Sequence, residues 1–270
     1  MSLVIFITAC AGLLMLLVER GRPGRLWPKP ASWPIRALTF NALQAGVIYI
    51  SGLTWNHWLA SASLLHVGGH HVVLDAAAGY FVITFVFYWW HRWRHEVPQL
   101  WLWLHQIHHS PKRLELFTTF YKHPVEIVLD SMLSSLVAYT LLGLSPAAAT
   151  AAFAMTGLAE MFYHWNIHTP RWLGYFIQRP ESHCVHHQRG VHRYNYSDLP
   201  IWDMLFGTFK NPAVFERECG FDGQREERVL TMLKGENVLR SDAYTAAPSW
   251  VKRLGLAEDG TEARRRDTLH

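Results

Sequence analysis

Long apolar runs alternate with short basic stretches along this chain, and the alternation predicts a series of membrane-inserted helices. The first run, Leu3 to Val18, is just long enough to span. No basic segment precedes it, so it reads as an uncleaved helix and not as a signal peptide. ERGRPGRLWPKP follows, carrying Arg20, Arg22, Arg25 and Lys29. Its prolines and glycines forbid a long helix, and its charge marks a cytoplasmic loop. A second run, Ala37 to Trp55, returns the chain to the outer side, and a third, Ala76 to Trp93, brings it back. Between them His57, His66, His70 and His71 sit in a nearly uncharged stretch, read as interfacial with structural histidines. A short helix, Leu100 to His109, is expected along the surface with its tryptophans toward lipid and its histidines toward the site, the alternative being that Trp101 and Trp103 fill a core. Val125 to Phe162 reads as a helical hairpin turning at Gly143–Pro146, with arms of about 18 residues. Arg171 to Arg179 is partly amphipathic and is expected to lie at the interface, bordering a lipid entrance. Beyond Gly220 the chain is polar, with a solvated tail around Arg264–Arg266.

The expected fold is therefore all-α: a polytopic membrane protein with about four to five inserted helices and a cytosolic helical cap. Its divisions are N-terminal helices and linkers (1–75), a catalytic domain (76–215) and a polar extension (216–270). Composition agrees, with 50% hydrophobic and 17% charged residues. Thirteen tryptophans and ten tyrosines suit a membrane interface. A net charge of +4 and a pI near 9.0 raise the question of nucleic acid. The basic residues flank apolar runs instead, so the membrane reading prevails and no nucleic-acid partner is expected. Cys10, Cys184 and Cys219 form no disulfide framework.

The histidines change the picture most. Of seventeen, ten fall in four clusters: HRWRH (His91, His95), HQIHH (His105, His108, His109), HWNIH (His164, His168) and HCVHH (His183, His186, His187). Residues three and four apart share a helix face, so each cluster aims imidazoles into one patch of space. A lone histidine near a membrane is ordinarily structural. Four spaced clusters favour metal ligation by neutral imidazole. A zinc hydrolase takes about three protein ligands and a water, and ten histidines exceed that. The count suits a dinuclear site, and iron is the metal that uses one for oxygen chemistry.

Together with NYSDLPIWDMLFGTF, this ordered series resembles the fatty acid hydroxylase/sterol desaturase superfamily of integral-membrane di-iron oxygenases, over about Phe81 to Phe209. The resemblance implies that His91, His95, His105, His108, His109, His164, His168, His183, His186 and His187 hold two iron ions, with O₂ as co-substrate. It also matches His123 in YKHPVE, before Glu126, to a supporting histidine. His192 fits no helical ligand pair and reads as a substrate-side or orienting residue. Asn195, Asp198 and Asp203 are candidates to orient ligating rings, beside ordinary capping and turn roles.

The expected activity is hydroxylation of an unactivated C–H bond of a lipid: an acyl chain, a sterol or a related isoprenoid. Desaturation at the same site is the alternative. No nucleotide-binding fingerprint is found, so electrons are expected from a separate protein of cytochrome b5, ferredoxin or reductase type. A metal transporter would place ionisable groups deep in its spans, whereas these histidines lie at span ends. A non-catalytic scaffold would have lost ligands.

Overall fold

The computed structural model describes residues 3–239 apart from 62 and 70; His70 and the Arg264–Arg266 tail lie outside them. Among the described residues the chain is helical: α1 (Leu3–Gly21), α2 (Trp33–Leu53), α3 (Trp55–Leu59), α4 (Val72–Glu96), α5 (Pro98–Leu100), α6 (Pro124–Ser135), α7 (Pro146–His164), α8 (Pro180–His186), α9 (Pro200–Leu205) and α10 (Val229–Leu233). Two π-helical segments, Trp101–His105 and Leu136–Leu141, interrupt the regular pattern.

Among the described residues three helices are long and apolar enough to cross a membrane: Leu3–Gly21, Val72–Glu96 and Pro124–Leu141. With the expected four to five inserted helices in mind, α2 and α7 are long enough at 21 and 19 residues. Polar groups such as Arg36, Asn41 and Glu160 keep them below that apolarity. The chain is an integral membrane protein. α1 agrees with this: Leu3, Ile5, Phe6, Leu13, Leu14 and Leu17 are all exposed, an apolar surface suited to lipid.

Local chemistry sets the ends of the helices that carry the site. His71 caps α4, its ring accepting from Val73 N–H at 3.3 Å. The helix then runs unbroken to Glu96, where extended Val97 precedes Pro98. α6 begins at Pro124 with the His123 ring as its cap, and α7 at Pro146 with the Ser145 hydroxyl. The hairpin between them turns at Gly143, whose φ of +67° is left-handed. Carbonyls of Thr140, Leu141 and Leu142, left without helical partners, accept from Leu64, Leu65 and Val67 N–H at 2.7, 3.0 and 2.8 Å.

α4 packs along α7, with α1 on α7 and α2 on α6. Small residues permit the close approach of α4 and α7: Ala148, Ala149 and Ala152 are fully buried against Ile83, Val137 and Leu144. A side-chain carbon at Gly79 would lie 2.6 Å from Leu144 Cδ1. A second core seals the cap, where Trp33, Phe40, Ile107, Tyr121, Phe221 and Met232 meet. Between the two cores lie the ends of α4 and α7, and α8 closes over them.

Candidate metal centre

Four segments deliver imidazoles to one place. The last two turns of α4 carry His91 and His95. The π segment ends at His105, its wider turn closed by Gln106 N–H donating to Trp101 O at 2.8 Å, and His108 and His109 follow at once. α7 ends on His164, and α8 carries His183 and His186, with His187 as its cap. Nine of these side chains form two adjoining groups: His91, His95, His105, His109 and His186, then His108, His164, His183 and His187. Within each group one ligand atom per residue lies within 4.8 Å of all the others. The groups touch through the stacked rings of His109 and His187, whose centroids are 4.1 Å apart.

The nitrogens that face inward are Nε2. In the first group His91 Nε2 stands 3.0 Å from His105 Nε2 and 3.3 Å from His95 Nε2, and His109 Nε2 is 3.2 Å from His105 Nε2. In the second, His183 Nε2 lies 3.1 Å from both His164 Nε2 and His187 Nε2, and His164 Nε2 lies 3.4 Å from His108 Nε2. Neighbouring ligands on one ion with metal–nitrogen bonds of about 2.1 Å stand about 3.0 Å apart, so the spacing is that of ligands sharing an ion.

The opposite ring nitrogen decides the tautomer. A carbonyl or carboxylate oxygen only accepts, so a ring nitrogen facing one must carry the proton. His91 Nδ1 donates to Tyr196 O at 2.8 Å, His105 Nδ1 to Glu126 Oε1 at 2.8 Å, and His186 Nδ1 to Tyr194 O at 2.7 Å. His164 Nδ1 donates to Glu160 O at 2.9 Å and His108 Nδ1 to Tyr121 O at 3.3 Å. These donations leave bare Nε2 lone pairs facing each other in two places, His91 against His105 and His108 against His164. His186 Nε2 is buried with no hydrogen-bond partner. Lone pairs so crowded repel unless a cation sits among them, and the residues present therefore fit metal ions. Protons cannot supply that charge near neutral pH. Burial, reinforced by neighbouring rings and cations, holds His105, His108, His109, His183 and His187 well below their ordinary range, and His186 falls to about 3.

His168 stands apart from both groups. α7 ends at His164, Trp165 turns extended, and the four-residue spacing no longer means a shared face. The segment is held elsewhere: Asn166 Nδ2 donates to Arg25 O at 2.8 Å, and Gly24 N–H donates to Asn166 O at 2.7 Å. The His168 side chain is 64% exposed, with Nδ1 3.6 Å from Glu181.

Other sequence candidates find definite places. His123 caps α6, and the orienting partner of His105 is Glu126, a fully buried carboxylate that also pairs with Arg94. Asp130 joins Arg94 at 3.5 Å, and Lys122 bridges Asp130 and Glu160 at 3.5 and 2.8 Å. His192 Nδ1 lies 3.3 Å from His109 Nδ1, its ring beside Trp101 and Phe221. Of the two tryptophans expected to face lipid, Trp103 is exposed while Trp101 packs against His95 and His109.

Residues 192–197 form a strap across the first group. His192, Tyr194 and Asn195 adopt left-handed φ of 43°, 70° and 50°, a costly conformation for residues with side chains. Asn195 holds it, Nδ2 donating to Ser182 O and Lys210 O at 2.8 and 2.9 Å while Oδ1 accepts from Lys210 N–H at 2.8 Å. Asp203 accepts from Tyr196 and Ser197 N–H at 2.8 and 3.1 Å. The strap thereby presents the carbonyls that orient His186 and His91. Backbone acceptors of this kind leave no mark in a sequence.

A narrow cleft with a volume of about 30 Å³ runs between α4 and α7 to both groups. Ile83, Thr84 and Phe87 line one wall, Thr156 and Tyr163 the other, with His91, His108 and His183 at its floor. Asp198 also lines it, its carboxyl raised to about 8 by burial and by nearby Glu160.

Residues 76–208 match the fatty acid hydroxylase family. The chain is 26% identical over 137 residues to sphinganine C4-monooxygenase 1 of Arabidopsis thaliana, covering 49% of this chain and 53% of the relative. It is 33% identical over 140 residues to alkylglycerol monooxygenase of Homo sapiens (47% and 29%), and 27% identical over 143 residues to a very-long-chain aldehyde decarbonylase of Oryza sativa (50% and 54%). The chain thus spans about half or less of these relatives' lengths. No solved structure matches.

Proposed function

Residues 76–208 belong to the fatty acid hydroxylase/sterol desaturase superfamily, and from that membership we propose that the chain is a membrane-bound non-haem di-iron oxygenase that hydroxylates a C–H bond of a lipid. The observation that carries this reading is the pair of adjoining imidazole groups with inward Nε2 atoms 3.0–3.4 Å apart. Nine neutral nitrogen donors suit two ferrous ions, one per group, and His168 is outside the set. When bound, such ions supply reduction of O₂ and oxidation of the substrate carbon. The overall balance is RH + O₂ + 2e⁻ + 2H⁺ → ROH + H₂O. Relatives named for oxidising sphinganine and alkylglycerols support a substrate with a polar head and an apolar chain.

The chain's own groups do the positioning. Glu126 and the Tyr194 and Tyr196 carbonyls hold protons on Nδ1, so that Nε2 stays free to ligate. Ile83 and Phe87 keep one side of the cleft apolar, and the packed α4–α7 pair limits water. Arg20 in the last turn of α1, and Arg22 and Arg25 just after it, lie at the end tied to Asn166, beside the site. That placement supports a cytoplasmic centre by the positive-inside rule.

Metal analysis with Mössbauer spectroscopy of iron-supplied protein in detergent tests the reading. Two coupled irons per chain are expected, lost on changing His108 and His187 to alanine. One ion, or tight zinc without an O₂-dependent spectral change, would refute it.

A further inference from the structure

Resting on the oxygenase reading, we propose that the strap face around Tyr194 is the docking site of an acidic one-electron carrier protein. Hydroxylation needs two electrons from outside the substrate, and they enter most readily where a short bonded path joins the centre to the surface. The Tyr194 carbonyl receives the His186 Nδ1 hydrogen at 2.7 Å, so one hydrogen bond separates this residue from a ring of the first group. The Tyr194 side chain lies at the surface, half-buried.

Two exposed cations share that ring. The Arg193 guanidinium is 5.5 Å from its centroid and the Lys210 ammonium 5.1 Å. Neither forms an ion pair among the described residues, while neighbouring basic residues are neutralised: Arg92 by Glu96 at 2.7 Å and Arg189 by Glu218. With both cations beside one ring and no carboxylate paired to either, the strap presents a net positive patch, which the ring's cation–π attraction does not neutralise. An acidic surface laid over the face neutralises it. Small, weak, charge-steered interfaces are characteristic of electron-transfer encounters. The strap's left-handed residues and the Asn195 hydrogen bonds hold the face in place, so docking demands little ordering. Each encounter moves one electron: the carrier is oxidised and one ferric ion is reduced to ferrous. Two encounters serve one turnover.

The experiment uses the iron-loaded full chain in nanodiscs, with reduced plant-type ferredoxin or the acidic haem domain of cytochrome b5 as carrier. Arg193→Glu and Lys210→Glu, singly and together, are compared with the unaltered chain. Charge reversal is expected to lower the bimolecular reduction rate at low salt by at least about tenfold and to flatten its salt dependence. Iron content and the rate of dithionite reduction stay unchanged. Binding of redox-inactive, gallium-substituted ferredoxin weakens in parallel, a readout that needs no turnover. Unchanged carrier rates in the double variant, or a chain reduced by dithionite and by neither carrier, would overturn the proposal. So would protection of Lys210 from acetylation by phosphatidylserine in the nanodisc without protection by carrier, which would assign the face to lipid. Absence of iron, or of any dithionite response, would instead refute the oxygenase reading beneath it.

Discussion

Changing Asn195 to aspartate isolates what the strap does. The side chain is 2% exposed, and its Nδ2 donates to two carbonyls, Ser182 O and Lys210 O, at 2.8 and 2.9 Å. Aspartate keeps the shape and the acceptor that receives Lys210 N–H, but replaces both donations with oxygen against oxygen. Leaving a buried polar group unsatisfied costs about 1–3 kcal/mol, so two orphaned carbonyls cost roughly 2–6 kcal/mol before relaxation. For a chain of this size that lowers the melting temperature by on the order of 10 °C. The local consequence is sharper. The Tyr194 and Tyr196 carbonyls lose their fixed positions, and with them the orientation of His186 and His91, both in the first group. Loss of such orienting partners weakens metal binding by about 10–100-fold. Cobalt(II) titration followed by visible absorbance should therefore become biphasic, one ion binding as before and one weakened by that factor. Asn195→Gly, which tolerates the φ of +50° but removes the same hydrogen bonds, should reproduce the split and exclude backbone strain as its cause. Two unchanged ions in Asn195→Asp, or equal weakening of both, would refute the assignment of the strap to one group.

Three further outcomes are expected. His168→Ala should leave metal content unchanged while His187→Ala loses metal, since one ring is exposed and the other buried among ligands; equal loss in metal analysis would place His168 back in the site. Glu126→Gln removes the charge opposite buried Arg94. Breaking such a pair costs up to about 3–5 kcal/mol, less here because Asp130 remains 3.5 Å away, and an unshifted thermal midpoint would contradict it. The metal-free protein should lose stability as pH falls below about 6.5. The unfolded chain takes up protons there, while folded His186 resists protonation down to about 3. The contribution is thus full above 6.5 and lost progressively toward acid. A flat thermal midpoint from about pH 7.5 to about pH 5 would argue against it.

Much of the architecture was legible in the residues. Apolar runs located α1, α4 and the hairpin that became α6, its π extension and α7, because lipid leaves no alternative to long helices there. The paired spacings of HRWRH, HQIHH and HCVHH brought their histidines to one centre because helical or near-helical backbone continues through each. HWNIH has the same spacing, yet only His164 arrives. The i,i+4 rule holds only while the helix lasts, and the helix stops at His164 because Asn166 is claimed by the backbone of Arg25, 141 residues away. No local pattern encodes that competition. The same holds for orientation. Sequence determined which imidazoles were available and how they were spaced along the chain. Tertiary structure decided which nitrogen of His91, His105 and His186 faces inward, because the deciding groups, the Tyr196 and Tyr194 carbonyls and the Glu126 carboxylate, lie on segments that only folding brings beside those rings.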